Sequence, residues 1–345
     1  MICHCGMIDL GPTSLGLAML HIRCGTDILW KLDDAGVPGR KLSWSDPLCE
    51  GPVPSADRAL LRPIRARWLA RHYGVEHDAN VDDLVDADRV VDEAGTHDEV
   101  VLWFEADLFD QAILLHLLPR VAAACGRGTR LSLVTLHEYP GMKRFIGLGQ
   151  LSAPQLLELY QRRIDVPAAM VAAAQEAWLA WVHPTPELLA NIASRSTSAM
   201  PYLPAAARRM LEQLPDVRTG LSRTERQGLQ AVAGKARSLH EAFVASQDME
   251  ERPWQGDSMF FATLWGLSQG PSPLLTAEGG WPTLTEGRKN PKLSLTPDGR
   301  RVLEGTRDFS EGRDDEWWVA GTRLAPDAPR WRWDSAAPAG RLVGA

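Results

Sequence analysis

The fold is decided by one stretch, EVVLWFEADLFDQAILLHLLPRVAAACGRGTRLSLVTL, which covers residues 99–136. Its first six residues form a short β-branched and aromatic run that is typical of a buried strand. Phe109, Ile113 and Leu117 then fall on one face of a helix, which two glycines end. Residues 130–136 predict the next strand. Because strand, helix and strand follow each other at short spacing, we expect parallel strands joined by helical crossovers.

The same alternation continues upstream of this stretch. Residues 19–25 and 40–45 predict two more strands, since each alternates toward a turn signal. A helix is expected over about residues 55–73 from its apolar spacing. The sequence therefore predicts an α/β domain over residues 19–150, with a mostly parallel, Rossmann-like sheet.

Downstream the pattern changes to helices. Prolines separate several helical candidates over residues 151–218, which predicts a helical linker domain. In residues 219–335, Ser222 and Glu225 form a capping box at the start of the first of three helices. Two strand-like pieces follow, so the layout indicates a winged-helix-like part.

Composition limits the classes of function. The chain has 345 residues, 45% of them hydrophobic, and a net charge of -7. This charge balance argues against nucleic-acid binding, which needs clustered Lys and Arg, since the predicted wing holds only Arg288, Lys289 and Lys292. No apolar run reaches the ~20 residues of a membrane span. Five scattered cysteines favour a reduced, cytoplasmic protein, and residues 1–18 are expected to be a disordered tail.

Polar side chains follow four of the predicted strands. These strand ends are Gly25, Thr26 and Asp27, then Asp46, then Glu105 and Asp107, then His137. Open α/β sheets bind ligands outside the carboxyl ends of their strands, so we expect a small-molecule site at this edge. Asp46, Glu105 and His137 are the acid–base candidates, because neighbouring carboxyl groups raise one another's pKa. Taken singly, each aspartate is also explained as a helix or turn cap.

Further side chains could position a polar or anionic ligand there. They are Gly25, Thr26, Asp27, Arg67, Trp103, Asp110 and Gln111. A guanidinium such as that of Arg67 donates to phosphate or carboxylate in a planar fork, although most arginines of its helix are expected to face solvent. The histidines lack the spacing of a zinc site, so no metal is predicted. No cofactor is assigned.

Several stretches resemble a bacterial family, domain-of-unknown-function family 1835. They include LHIRCGTDI from residue 20, SDPLCEGPVP from residue 45, VVLWFEADLFDQ from residue 100 and LTPDGRRVLEG from residue 295. The likeness extends from Met19 to about Arg332. It implies the same domain organisation and carries no activity. Ile28 stands where the family leads us to expect serine, which weakens a phosphate-loop interpretation.

Three hypotheses for function follow. The first is a small-molecule site at the strand ends, with acid–base catalysis. The second is a regulatory protein, in which the α/β domain senses a ligand and the winged-helix-like part contacts a partner or DNA. The third is a purely structural or dimerisation role, in which the strand-end polar groups are only caps.

Overall fold

The computed structural model describes residues 18–74, 76–281 and 290–344. The tail predicted for residues 1–18 lies, except for Ala18, outside these residues. Arg288 and Lys289 of the predicted wing lie outside them as well.

A five-stranded sheet forms the centre of the N-terminal part. Its strands are β1 (Met19–Cys24), β2 (Arg40–Trp44), β3 (Glu99–Trp103), β4 (Arg130–Val134) and β5 (Ile164–Asp165). They lie in the order β2-β1-β3-β4-β5. The first four pair in parallel, and β5 pairs antiparallel with β4. The predicted α/β class with a mostly parallel sheet is confirmed.

Helices connect the strands and cover both faces of the sheet. They are α1 (Leu29–Asp34), α2 (Arg58–Tyr73), α3 (His77–Asp92), α4 (Leu108–Cys125) and α5 (Ala153–Gln161). The Asp57 side chain caps α2 by accepting from the Leu60 N–H. The Asp107 side chain caps α4 by accepting from the Asp110 N–H. The sequence did not predict α3, which lengthens the crossover between β2 and β3.

The sheet is buried on both faces. Val100 and Leu102 pack with α3 and α4, whereas Val101 and Trp103 pack with α1 and α5. Successive side chains of a strand point to opposite faces, so a doubly covered strand must be apolar at every position. This is the physical reason for the uninterrupted apolar run that follows Glu99.

Among the described residues, one helix is long and apolar enough by composition to cross a membrane. This helix is α4, and 67% of it is buried inside the protein. It packs against α3 and α6, the latter spanning Ala168–Trp181. Its apolar composition is therefore that of a central core helix.

The rest of the chain begins with two helical groups. After α6 come α7 (Glu187–Ser194), α8 (Leu203–Leu211), α9 (Arg223–Ala233), α10 (Leu239–Asp248) and α11 (Asp257–Leu267). A hairpin of β6 (Leu275–Glu278) and β7 (Lys292–Leu295) follows, and then α12 (Pro297–Glu304). The predicted three helices and strand pair of this part are present, with Leu229, Phe260 and Leu264 in a core of their own.

The last residues return to the larger core. They form two short hairpins, β8 (Trp317–Val319) with β9 (Thr322–Leu324) and β10 (Arg332–Asp334) with β11 (Arg341–Val343). Trp333 is buried there, and its backbone N–H donates to Pro215 O at 2.9 Å. The end of the chain therefore packs against the helical middle and not against the core of α9 to α11.

Candidate functional site

The connections of the sheet diverge between β1 and β3. From β1 the chain leads to β2 on one side, and from β3 it leads to β4 on the other side. Open α/β sheets bind ligands in the crevice at such a switch point, beyond the carboxyl ends of the strands. The titratable side chains that follow β1 and β3 at this crevice are Arg23, Cys24, Asp27, Glu105, Asp107 and Asp110, and Arg144 and Asp248 lie at its rim.

A cavity of about 670 Å³ lies over these side chains. The loop over residues 144–150 forms one wall. A second wall comes from α10 and from residues 253–259, which include Trp254 and Met259. This volume lies within the range of small-molecule sites, ~300–1,000 Å³. The C-terminal part therefore helps to enclose the crevice of the α/β part.

Arg23 is the hub of the charged cluster. Its Nη2 donates to Glu105 Oε1 at 2.7 Å, its Nε donates to Asp27 Oδ1 at 3.1 Å, and its Nη1 donates to Asp110. Burial would lower the pKa of this guanidinium, but the carboxylates, Asp110 foremost, raise it well above its ordinary value. One guanidinium thus donates hydrogen bonds to three carboxyl groups, and a fourth carboxyl group, that of Asp107, lies nearby.

Asp110 is fully engaged in the structure. One of its oxygens accepts from Arg23 and, at 2.6 Å, from the Glu105 backbone N–H. The other oxygen accepts from Cys24 Sγ at 2.6 Å. Burial raises the pKa of the Cys24 thiol well above its ordinary value, so the thiol is the proton donor of this bond. Asp110 therefore fixes the other groups in place.

Glu105 is the carboxyl group best placed for proton transfer. Its Oε1 accepts from Arg23 and, at 2.7 Å, from the Leu148 backbone N–H. Burial raises the pKa of Glu105 to about 8, against the opposing effect of Arg23. Because Oε1 already accepts two hydrogen bonds, Oε2 is the oxygen that can carry the proton. Gly147 lies beside it, and a Cβ there would be 2.7 Å from Oε2.

Asp107 begins α4 and also lines the cavity. Its side chain accepts from the Asp110 N–H at 3.1 Å and is 9% exposed. Burial first, and then Asp110 and Glu105, raise its pKa well above the ordinary value. One ligand atom from each of these three carboxyl groups lies within 4.8 Å of the others, close enough to hold a metal ion. Such an ion would compete with Arg23 for two of them.

The geometry of the site, and not a known relative, is the basis for assigning a function to this protein. No family model and no curated protein matches this chain. The resemblance of LHIRCGTDI and the other stretches therefore stays an expectation.

The structure gathers part of the predicted set. Asp27, Glu105 and Asp110 line the cavity, and Gln111 supports it by donating from Nε2 to Glu105 O at 2.6 Å. Trp103 belongs to the core instead, where its Nε1 donates to His21 Nδ1 at 3.1 Å.

Gly25 and Thr26 form the turn that leads from β1 to Asp27. Gly25 has a φ of 70°, in the left-handed region that favours glycine, and neither residue lines the cavity. The turn therefore positions Asp27 through its backbone.

Three predicted residues lie elsewhere. Asp46 is buried against Arg65, with Oδ1 2.7 Å from Nη2. His137 is exposed, and its ring is 3.1 Å from the Tyr202 hydroxyl. Arg67 lines a different cavity. None of the three lines the crevice, which lies between β1 and β3, because Asp46 is held by Arg65, His137 contacts Tyr202 and Arg67 lies at the other cavity.

Arg23 and Cys24 were not predicted as site residues, and Asp107 was counted among the polar strand ends without a role of its own. Arg23 does carry a signal, since it is a charged residue inside the otherwise apolar end of β1. A buried arginine needs carboxylate partners, so its position pointed to the acidic groups that follow β3.

Proposed function

We propose that this protein binds a small polar molecule in the crevice between β1 and β3 and transfers a proton to it from Glu105. The observation that carries the proposal is a cluster of four carboxyl groups around one guanidinium, buried at the switch point of the sheet. Perturbed carboxyl groups that converge on a cavity are typical of acid–base sites.

The charge of the cluster limits the chemical classes of ligand that can bind. Among the described residues, the basic side chains of the cavity are Arg23 and Arg144; Arg144 pairs with Asp248, and the donors of Arg23 are already occupied by Asp27, Glu105 and Asp110. An anionic ligand would meet excess negative charge there. We therefore favour a ligand that offers positive charge or several hydrogen-bond donors, such as an amine or a polyol, over the anionic ligand that the sequence suggested.

The proton transfer follows from the contacts of Glu105. With a pKa of about 8, the carboxyl group is mostly protonated at pH 7 and can donate from Oε2 to a neutral atom of the ligand, such as a hydroxyl oxygen that leaves or an unprotonated nitrogen. An ammonium group of the ligand cannot take this proton and would instead lie against Asp27. The carboxylate that remains keeps its bonds from Arg23 and from the Leu148 N–H, which stabilise the negative charge. Asp107 can accept a hydrogen bond from the ligand. Glu105 regains its proton from solvent after release.

A thermal-shift experiment tests the binding. The probes are putrescine as an amine, glucose as a polyol and inorganic phosphate as an anion. We expect putrescine or glucose to raise Tm of the wild type, because a ligand that binds the folded state stabilises it, and phosphate to have a smaller effect. The E105Q/D107N double variant should lose the shift.

The matched control for this experiment is D34N/D82N, which neutralises two exposed helix carboxylates that line neither cavity. It should respond as the wild type does. A larger shift with phosphate, or an unchanged response in E105Q/D107N, would contradict the proposal. Infrared spectroscopy checks the proton separately, since the protonated carboxyl absorption at pH 7 should decrease in E105Q and decrease further in E105Q/D107N.

One observation favours a second candidate, a ligand sensor. The C-terminal part supplies Phe243, Gln247 and Trp254 to the cavity wall, so an occupied crevice would change the contacts of α10. The sequence predicts that the three helices and the hairpin to which α10 belongs form a winged-helix-like part, and the sensor proposal rests on that prediction. Hydrogen exchange tests this role, because a sensor should show altered protection of residues 239–259 when putrescine or glucose is bound.

A more specific form of the sensor hypothesis is that the C-terminal part contacts DNA. α11, the third helix, is mostly apolar, with Met259, Phe260, Leu264 and Leu267 buried, which disfavours base reading by this helix. Salt-dependent DNA binding that is lost on changing Arg288, Lys289 and Lys292 would support the regulator over the enzyme.

A further inference from the structure

A second cavity, of about 1010 Å³, lies on the other side of the C-terminal part. It is bounded by α2, by the end of α11 and by residues 307–318, and it shares no lining residue with the crevice. α2 contributes one helical face, spaced i, i+3, i+4, i+7 and i+8. The residues of this face are Ile64, Arg67, Trp68, Arg71 and His72.

Two arginines of this face have no partner in the described part of the chain. Elsewhere on α2, Arg58 and Arg62 pair with aspartates of α3, and Arg65 pairs with Asp46. Arg67 and Arg71 make no hydrogen bond or ion pair with any described residue, yet both line the cavity. Two guanidinium groups one turn apart are suited to one multidentate anion such as phosphate.

Aromatic rings stand beside these arginines. Trp68 stacks on His72 with centroids 4.6 Å apart and an angle of 16° between the planes. Burial, and then Arg65, lower the pKa of His72 to about 4, so the stacked imidazole is neutral at pH 7. Trp265 of α11 lines the same cavity and is 51% exposed. Exposed tryptophan faces are favourable partners for a planar ring.

The acidic residues of this cavity are mostly engaged. Glu225 and Asp315 both pair with Arg313, and Glu316 pairs with Arg323. Burial raises the pKa of Glu50, which accepts from the Tyr73 hydroxyl at 2.5 Å.

Asp314 is exposed and makes no hydrogen bond or ion pair with a described residue. It stands on the segment that faces α2. An extended polyanion would run from the arginines onto the acidic residues around Asp314 and be repelled there. A compact ligand, with its anion near α2 and its donors near Asp314, fits the distribution of charge.

We infer that this cavity binds a phosphate-bearing planar ring of the nucleoside monophosphate class. The phosphate is held by Arg67 and Arg71, and the ring lies against the exposed face of Trp265, because His72 and Arg65 already cover the Trp68 ring. This site is independent of the proton-transfer crevice, so either proposal can fail without the other.

Calorimetric titration with AMP, GMP, CMP, UMP, adenosine and inorganic phosphate tests the inference. We expect at least one monophosphate to bind the full-length wild type, and R67A/R71A to weaken that binding about tenfold or more, since both changes remove charge-assisted bonds to phosphate. The control R127A/R300A removes two exposed arginines that line neither cavity, and its affinity should stay within about twofold of the wild type.

The ligands separate the contributions of ring and phosphate. Adenosine and inorganic phosphate should each bind more weakly than the monophosphate, because each offers one of the two halves. W265A should weaken the monophosphate and leave phosphate unchanged, which also shows that the variant is folded. The inference is overturned if no monophosphate binds, if R67A/R71A binds as tightly as the control, or if only a single-stranded oligonucleotide binds.

Discussion

Two buried charge clusters lie at the same edge of the sheet and differ in their balance. After β2, Asp46 faces Arg65, whose guanidinium also donates to the carbonyls of Pro47, Glu50 and Pro52. One carboxylate is matched there to one guanidinium, and backbone oxygens take the remaining donors. After β1 and β3, four carboxyl groups share Arg23 or lie beside it, under a cavity.

The difference separates a structural ion pair from a candidate site. A saturated pair has no donor or acceptor left for a ligand, because each charged group already has its partner. In the unbalanced cluster, burial raises the pKa of Glu105 to about 8 against the opposing effect of Arg23, and burial and the neighbouring carboxyl groups raise the pKa of Asp107, so a proton is available at neutral pH. Both clusters are buried, and they differ in the ratio of carboxyl groups to guanidinium groups.

The largest expected effect comes from breaking the saturated pair. Asp46→Ala leaves the Arg65 guanidinium, in a residue that is 1% exposed, without its counter-ion. We expect a loss of about 3–5 kcal/mol in the free energy of unfolding, measured by urea denaturation. The exposed carboxylate change D34A should cost no more than ~0.5 kcal/mol. A loss in D46A as small as that of D34A would show that the two clusters do not differ as we propose.

A smaller effect is expected from crowding the unbalanced cluster. Gly147 has an extended φ of 163°, which any residue can adopt, so Gly147→Ala acts only through the contact of its Cβ with Glu105. We expect a loss of about 1–3 kcal/mol in urea denaturation, together with a displaced Glu105. Gly128→Ala is the control, because a Cβ there meets nothing within 4 Å. Equal stability of the two variants would mean that Gly147 does not confine Glu105.

The pH dependence of stability sharpens the comparison. The pKa of Glu105 is raised from 4.5 to about 8 in the folded state, so the folded protein holds a proton that the unfolded chain releases. This contribution is complete below pH 4.5 and is lost as pH rises through 8. E105Q should therefore lose less stability than the wild type between pH 5 and pH 9, by about 2–4 °C in Tm.

Asp107 has the same sign of pKa shift, so the slope should fall in E105Q without vanishing. Calorimetry at the two pH values measures it, with D34N as the control. An identical change of Tm in E105Q and the wild type would place no titrating proton on Glu105.

The smallest effect is expected at the rim of the cavity. Arg144 pairs with Asp248 of α10 across the wall, but the two side chains are 44% and 64% exposed. Solvent screening limits such pairs, so R144A should change the free energy of unfolding by no more than ~1 kcal/mol. Hydrogen exchange of residues 243–248 should nevertheless quicken. Unchanged exchange there would show that the pair does not hold α10 over the crevice.

Much of the fold could be predicted from local patterns. The four parallel strands and α4 follow from apolar periodicity, and the Ser222–Glu225 capping box marks the start of α9. α3 was missed because its sequence, HDANVDDLVDADRVVD, is rich in aspartate and buries only its C-terminal half. Such a helix is stabilised by its contacts with α2 and α4 rather than by its own apolar face.

The candidate site could be predicted less well. Glu105, Asp110 and Asp27 were found because strand ends mark a position in space. Asp46 and His137 were included for the same reason, although the sequence cannot show between which two strands the connections diverge and form the crevice. That depends on strand order, and the order here places β1 beside β3. The wall residues from α10 and from residues 253–259 are far from the strands in sequence. No local sequence pattern indicates that they line the crevice.

The enclosure of the crevice also has a consequence for protein synthesis. Its floor is complete once residue 150 has left the ribosome, while the wall from α10 emerges roughly 100 residues later, after ~5–20 s of translation. Until then the buried carboxyl groups would stand open to water and keep lower pKa values than in the finished protein. A chain that stops before Leu239 would therefore retain Glu105 and Asp107 but would lack the wall that helps to bury them and to raise their pKa values.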